Sequence, residues 1–399
     1  MNPVSSSDLQ PFVQGALLPG ECFWRDHYHY LQKHGYTLRK RYHPEWKPSW
    51  LTSDSTKSYH ECEDFCTLGL YACMLDASRS DGSLVALKRL KFPVGLGEMT
   101  IGTRFSSSSL FADPRNHCIP ILDIILPMPG SDVAFIVMPL LRQTRIAPFE
   151  TVGEAVEYFR QIFEGLQFMH ENNTIHGDCK HNNIMEDGLS LYTTPPHPFK
   201  HEMRRDFIDR TPKPVSRTIR PTKYYLIDFG LSYDFTGEDG PHLLQGPWGG
   251  YKNVPEHQGS EPPPCDPFPV DVYCIGNLIN QHFLDVCLLF PLFTVVVSLI
   301  TSSTCLQGVP NPVVPFVGFE FMRELVSDMM NKDPKKRPTM DEVVFRFDLI
   351  VKGLSWYKLR SPVIRADELR WWDLSCSITH WVKQTYYILR GYPAIPRVS

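Results

Sequence analysis

What this chain lacks narrows its chemistry first. Its eleven cysteines are scattered, with only Cys62 and Cys66 close together and no second pair at metal-ligand spacing. That argues against a disulfide framework or a zinc site and suits reduced thiols. No apolar signal segment follows the opening "MNPVSSSDLQPF", so a cytoplasmic location is expected, with the nucleus as the alternative. No charge of one sign dominates: 40 Lys and Arg face 44 Asp and Glu, a net charge of −4. The whole chain therefore offers no electrostatic footprint for nucleic acid or membrane. The longest apolar run, near 286–316, contains Pro291 and has an uninterrupted core of about 15 residues, short of the ~20 a membrane span needs. What is present is 399 residues, 42% of them hydrophobic, enough for a sizeable core in two or three compact units.

The texture changes along the chain. Residues 1–60 are rich in aromatic and basic residues without a clean period and read as an extension that packs on something else. "LYACMLDASRSDGSLVALKRLK" holds two β-prone runs around Ser-Arg-Ser-Asp-Gly, which predicts an antiparallel hairpin, and "CIPILDIILPMPGSDVAFIVMPLL" repeats the pattern. The period then switches. Val156, Phe159, Ile162, Phe163, Leu166 and Met169 recur at three- and four-residue spacing behind Thr151, which predicts an amphipathic helix over 151–170 with Thr151 as its N-cap. A strand-rich first part thus precedes a helical second part.

Directly after that helix comes "TIHGDCKHNNIMED", with Asp178, Lys180 and Asn183 at short offsets. "KYYLIDFGLSYDF" sets Asp228 at the end of a strand-like run, and "PVDVYCIGNLI" begins a further helix at Asp271. Asp178, Asn183 and Asp228 together suit a hard divalent cation, since carboxylate and amide oxygens match magnesium held partly by substrate phosphates. Lys88, on the strand "VALK", would add positive charge toward those phosphates.

In this order and spacing the residues resemble a eukaryotic protein kinase domain, in particular the divergent kinase-like proteins of mushroom-forming fungi. Val85-Ala86-Leu87-Lys88 resembles V-A-I-K, and His176-Gly177-Asp178 through Asn183 resembles H-R-D-L-K-x-x-N. Asp228-Phe229-Gly230 is D-F-G, Val254-Pro255-Glu256 resembles A-P-E, and Asp271 to Gly276 resembles D-x-W-x-x-G. Arg337 stands where kinases keep the Arg that pairs with the A-P-E Glu. The resemblance implies an α+β, bilobal fold with a small antiparallel-sheet lobe over 61–141 and a mainly helical lobe over 142–352. It implies ATP and Mg2+ as cofactors. Asp178 would accept the proton of the attacking hydroxyl, Lys180 would neutralise the γ-phosphate, Lys88 would hold the α- and β-phosphates, and Asn183 and Asp228 would bind the metal. Met138, Pro139 and Leu141 would form the adenine-binding hinge, through the Pro139 carbonyl and the Leu141 N–H. Lys180, two residues after Asp178, resembles Ser/Thr-directed kinases, so the expected acceptor is a protein Ser or Thr.

The departures from the pattern set up a rival. No G-x-G-x-x-G precedes Lys88; Gly69 is the one glycine near the right distance. Glu98 is the candidate partner of Lys88 but follows it by only ten residues. Gly177 replaces an Arg that receives activation-loop phosphate in many kinases, and Gly249 stands near the place of a Thr beside the catalytic Lys. The rival is a pseudokinase, a nucleotide-binding or scaffold module without transfer; phosphotransfer to a small molecule is a third reading. Two insertions interrupt the large lobe. Residues 188–222 read as a mobile basic loop or, more sharply, as a site for an acidic partner. Residues 286–316 clash in texture with their flanks and read as a retained intron in the gene, ahead of a membrane span. For the tail, 353–399, packing on the body is the plain expectation and interfacial membrane docking the alternative.

Overall fold

The computed structural model describes residues 13–52, 56–66, 73–128, 130–144, 148–246, 253–284, 315–368 and 374–398. Five strands make one antiparallel sheet: β1 (Tyr36–Leu38), β2 (Met74–Arg79), β3 (Leu84–Lys91), β4 (Asp123–Ile125) and β5 (Val133–Pro139), in the order β1-β2-β3-β5-β4. Both expected hairpins are there. The β2–β3 turn is closed by Gly82 and the β4–β5 turn includes Gly130, at φ +82° and +83°, a conformation a Cβ would strain. The register sets Leu75 opposite Leu87 and Ala77 opposite Val85, all buried.

The sheet reaches further toward the N-terminus than the sequence suggests. Two short helices, α1 (Pro19–Asp26) and α2 (Tyr28–Lys33), share a core with it, in which Trp24, Leu31 and Tyr42 pack with Leu75, Leu87 and Val137. β1 is itself an edge strand, paired with β2 from Tyr36↔Arg79 to Leu38↔Ala77. The small sheet-based part therefore begins well before residue 61, and residues 19–42 belong to it rather than forming an extension. A three-residue strand shows no period, and its partner lies more than 35 residues onward, so nothing local marks it. The connection from β1 to β2 is consequently long.

Helix α3 (Leu96–Phe105) lies between β3 and β4 in the chain. A short β6 (Arg142–Gln143) leads into the helical part, whose axis is α4 (Val152–Glu171). The Thr151 hydroxyl accepts from the Glu154 N–H at 3.2 Å, so the expected cap is in place. Val156, Phe159, Ile162, Phe163, Leu166 and Met169 are all at most 1% exposed. The opposite face is buried too, through Tyr158, Gln161 and Phe168, because this helix is enclosed by other elements rather than lying on a surface. Strand β7 (Thr174–Ile175) pairs with β10 (Tyr233–Asp234), and β8 (Ile184–Glu186) joins β6 to β9 (Tyr224–Leu226). Helix α5 (Pro267–Ile279) starts four residues before Asp271, capped by the Asp266 carboxylate, which accepts from the Phe268 N–H at 3.0 Å. Helix α6 (Met340–Gly353) completes this core with Val343 and Phe347. The mixed α+β architecture, a curled antiparallel sheet followed by a helical part, is compatible with a kinase-like bilobal fold.

The insertion at 188–222 is anchored at both base and tip. At its base the Arg217 guanidinium donates to Glu186 at 2.7 and 3.0 Å, and Ser216 and Thr218 donate to Glu154 at 2.6–2.9 Å. At its tip the fully buried His197 meets Glu63 at 3.1 Å, Lys200 donates to the His60 carbonyl at 3.1 Å, and Arg205 lies 3.4 Å from Asp76 on β2. Two of its basic residues, His197 and Arg205, thus meet acids on the β1–β2 connection and on the sheet. The loop straps the helical part to the sheet.

The tail packs on the body through α7 (Leu374–Leu389). Gln384 and Tyr387 are buried, the Arg360 guanidinium donates to Gln384 at 3.1 Å, and Lys383 pairs with Glu150 at 2.5 Å. Trp371 and Trp372 lie outside the described residues, as do Gly69, Gly249 and almost all of the 286–316 segment. Among the described residues no helix is long and apolar enough to cross a membrane.

Candidate active site

The cleft between sheet and helical part collects the charged residues that the sequence scatters over 140 positions. Lys88 projects from β3, where it pairs with Ile136 of β5 and Met74 of β2. Its ammonium lies 2.5 Å from Glu98 on α3 and 2.7 Å from Asp228. The short interval between Lys88 and Glu98 is no obstacle to their meeting. Residues 92–95 turn the chain back, and Glu98 falls in the first turn of α3, facing β3. Burial pulls the Lys88 pKa down, but the two carboxylates outweigh it and the net shift is upward, so the amine stays charged. For Asp228 burial pushes up and the Lys88 charge more than compensates, holding this carboxyl below its ordinary range.

Asp228 sits in a left-handed conformation, φ +67° and ψ +72°. Such a backbone is uncommon for a residue with a Cβ, and it marks a position over-determined by its surroundings. The next residue, Phe229, is buried between the two parts and stacks edge-on to His176 at 5.9 Å. The Asp228 side chain remains about half exposed, at 47%.

The second half of the site is the turn after β7. The backbone N–H groups of His176 and Gly177 both donate to the buried Asp271 carboxylate, at 2.7 and 2.9 Å, and His170 reaches the same group at 3.2 Å. Asp271 therefore holds the turn from below, a role that its place near the start of a helix did not reveal. Gly177 has φ +75°, which the bend requires of it. Above it, Asp178 takes three hydrogen bonds: Lys180 to Oδ2 at 2.5 Å, and the Asn183 amide to Oδ2 at 2.7 Å and to the backbone carbonyl at 3.0 Å. Oδ1 of Asp178 is buried and has no partner. That oxygen is available to accept from a hydroxyl or to bind a cation.

The remaining expected positions fall as follows. Met138 and Pro139 end β5 opposite Ala86 and Val85, and Leu141 is buried in the connection to β6, so all three lie where the sheet hands over to the helical part. Arg337 makes a two-pronged pair with Glu256, at 2.6 and 2.7 Å. Cys179, next to Asp178, is fully buried, and burial drives its thiol far up, which leaves it chemically inert. Among the described residues no three His, Cys, Asp or Glu side chains gather into a metal cluster. Asp228 and Asn183 could supply a divalent cation with two protein ligands, the rest coming from phosphate and water, which is the ordinary binding of magnesium to a nucleotide.

No family model matches the chain. A stretch of 80 residues is 36% identical to the serine/threonine-protein kinase CAK1 of Saccharomyces cerevisiae, covering 20% of this chain and 14% of that protein's length. This partial likeness to a Ser/Thr kinase, on a fold compatible with one, supports a kinase-like domain.

Proposed function

We propose that the chain transfers the γ-phosphate of ATP to Ser or Thr hydroxyls of proteins, with Mg2+. The observation that carries this reading is the Lys88–Glu98 pair, 2.5 Å long, with Asp228 2.7 Å from the same ammonium. Glu98 orients the Lys88 amine toward the place where α- and β-phosphates would lie, and keeps it charged there. Mg2+, when bound, neutralises charge developing on the phosphate oxygens. Asp228 and Asn183 would hold it. Oδ1 of Asp178 accepts the proton of the incoming hydroxyl, while Lys180 on Oδ2 fixes the carboxylate's orientation and presents positive charge to the moving phosphoryl group. Phosphoryl transfer has a loose transition state, so positioning and charge suffice. Met138, Pro139 and Leu141 are assigned to the adenine edge. A protein substrate in the cytoplasm is the proposed partner, and the resemblance to divergent fungal kinase-like proteins belongs to the same proposal.

One observation favours a second reading. The β1–β2 connection, which a kinase keeps short and glycine-rich over the phosphates, is here more than 30 residues long, and its described parts, 39–52 and 56–66, are held by Arg39, Arg41 and Asp64. A chain with such a flap would serve as a nucleotide-binding or scaffold module without transfer. Transfer of γ-labelled phosphate from Mg-ATP to the protein itself and to a mixed protein substrate separates the two. Label present in wild type and absent in Asp178→Ala and Asp228→Asn supports the kinase; equal background in all three supports the module.

A further inference from the structure

Helix α3 carries two charged residues with different neighbours. Glu98, in its first turn, meets Lys88. Arg104, six residues on and about 9 Å along the axis, turns the other way into the helical part. Its Nη1 donates to the Thr174 hydroxyl at 2.7 Å and lies 3.2 Å from the Asp234 carboxylate, while Nη2 donates to the Asn172 carbonyl at 3.0 Å. Thr174 and Asp234 are paired residues of β7 and β10. One of these strands ends three residues before Asp178, and the other begins five residues after Asp228. A single guanidinium therefore binds the helix that carries Glu98 to both strands from which the candidate catalytic acids are hung.

The packing around it is tight. A Cβ at Gly102, two residues before Arg104, would meet Ile121 at 2.6 Å and Phe229 at 3.7 Å, so α3 sits against the Asp228 turn with little clearance. A planar, forked cation bonded on three sides sets rotation and depth together, which a single apolar contact does not.

We infer that Arg104 is a positioning residue for the Lys88–Glu98 pair, with Asp234 and β7 as its fixed points. The helix is then held inward by a carboxylate that the chain carries itself. The inference deepens the proposed activity, since it says how the pair is assembled, but the geometry it concerns exists whether or not phosphate is transferred.

Two readouts test it on Arg104→Ala, Arg104→Lys and Asp234→Asn, with folding checked by circular dichroism. The first is transfer-independent: the pH dependence with which an amine-reactive reagent labels Lys88, followed by peptide mass spectrometry. If Arg104 holds Glu98 against Lys88, its loss removes a negative neighbour and the labelling midpoint moves to lower pH. The expected order of shifts is Ala largest, Asn smaller, Lys smallest. The second is steady-state transfer, where displacement of the pair by an ångström lowers kcat by about 10²-fold with a smaller change in KM for ATP, and Lys restores part of it. An unchanged Lys88 midpoint in folded Arg104→Ala, or in Asp234→Asn if the Ala variant does not fold, overturns the inference. A shifted midpoint in a chain that transfers no phosphate supports it while refuting the kinase reading.

Discussion

Two charged clusters in this molecule look alike by composition and differ in how completely they are satisfied. Arg41, on the β1–β2 connection, and Glu21, on α1, are fully buried; the guanidinium donates twice to that carboxylate, at 2.7 and 3.0 Å, and also to the Asp64 carbonyl at 2.8 Å. Asp64 in turn takes Trp46, the Ser49 N–H and the Ser49 hydroxyl, at 2.6–2.9 Å. Nothing is left over. In the cleft, by contrast, Asp178 keeps a buried oxygen without a partner and Asp228 stays half exposed while binding Lys88. The first cluster has its hydrogen-bonding capacity filled, whereas the cleft keeps capacity that a ligand can use.

The contrast can be broken most directly at Asp178. Its replacement by Ala should lower phosphate transfer by about 10²- to 10⁴-fold, yet leave the thermal midpoint unchanged or slightly raised, since it removes an unsatisfied buried oxygen. A large fall in thermal stability would put Asp178 in the same class as Arg41. The converse experiment is Glu21→Gln, which strands a buried guanidinium and should cost about 3–5 kcal/mol in denaturant unfolding, with nucleotide affinity per folded molecule retained. Between these lies the strap. Glu63→Gln weakens its bonds to Arg39 and His197 and should cost about 1.5–3 kcal/mol, with faster proteolysis within 188–222 as the local sign.

A further effect concerns acid. Burial lowers the His117 pKa to about 4 despite its bond to the Tyr224 carbonyl, whereas the unfolded chain titrates near ~6.5. Between those values the unfolded state binds the additional proton, so stability falls as pH drops through that window. His176, also lowered by burial, adds in the same direction. His117→Asn should flatten the dependence of thermal midpoint on pH between 6.5 and 4.

Much of this was legible locally. The hairpins followed from alternating β-prone runs around Gly82 and Gly130, and α4 from its three- and four-residue spacing behind Thr151. Lys88, Asp178, Asn183 and Asp228 were legible as a set through their order and spacing, which resemble the motifs of a protein kinase. Less was visible of Arg104, whose helix shows no strong period, of Asp271, which reads as an ordinary early-helix acid, and of His197, which sits in a Pro- and Arg-rich loop. Each owes its role to partners 70 to more than 130 residues away.

The sequence alone determined the periods, turns and caps, because these depend on side chains within a few residues of one another and on backbone preferences that distance does not alter. It also set the order of the charged motifs. Only the tertiary structure decided that β1 would pair with β2 across the long connection, that His197 and Arg205 of the 188–222 segment would meet Glu63 and Asp76, and that Lys88 would meet both Glu98 and Asp228. Such pairings pay the entropy of closing long loops, and they form only where burial of the surrounding core fixes both partners at once.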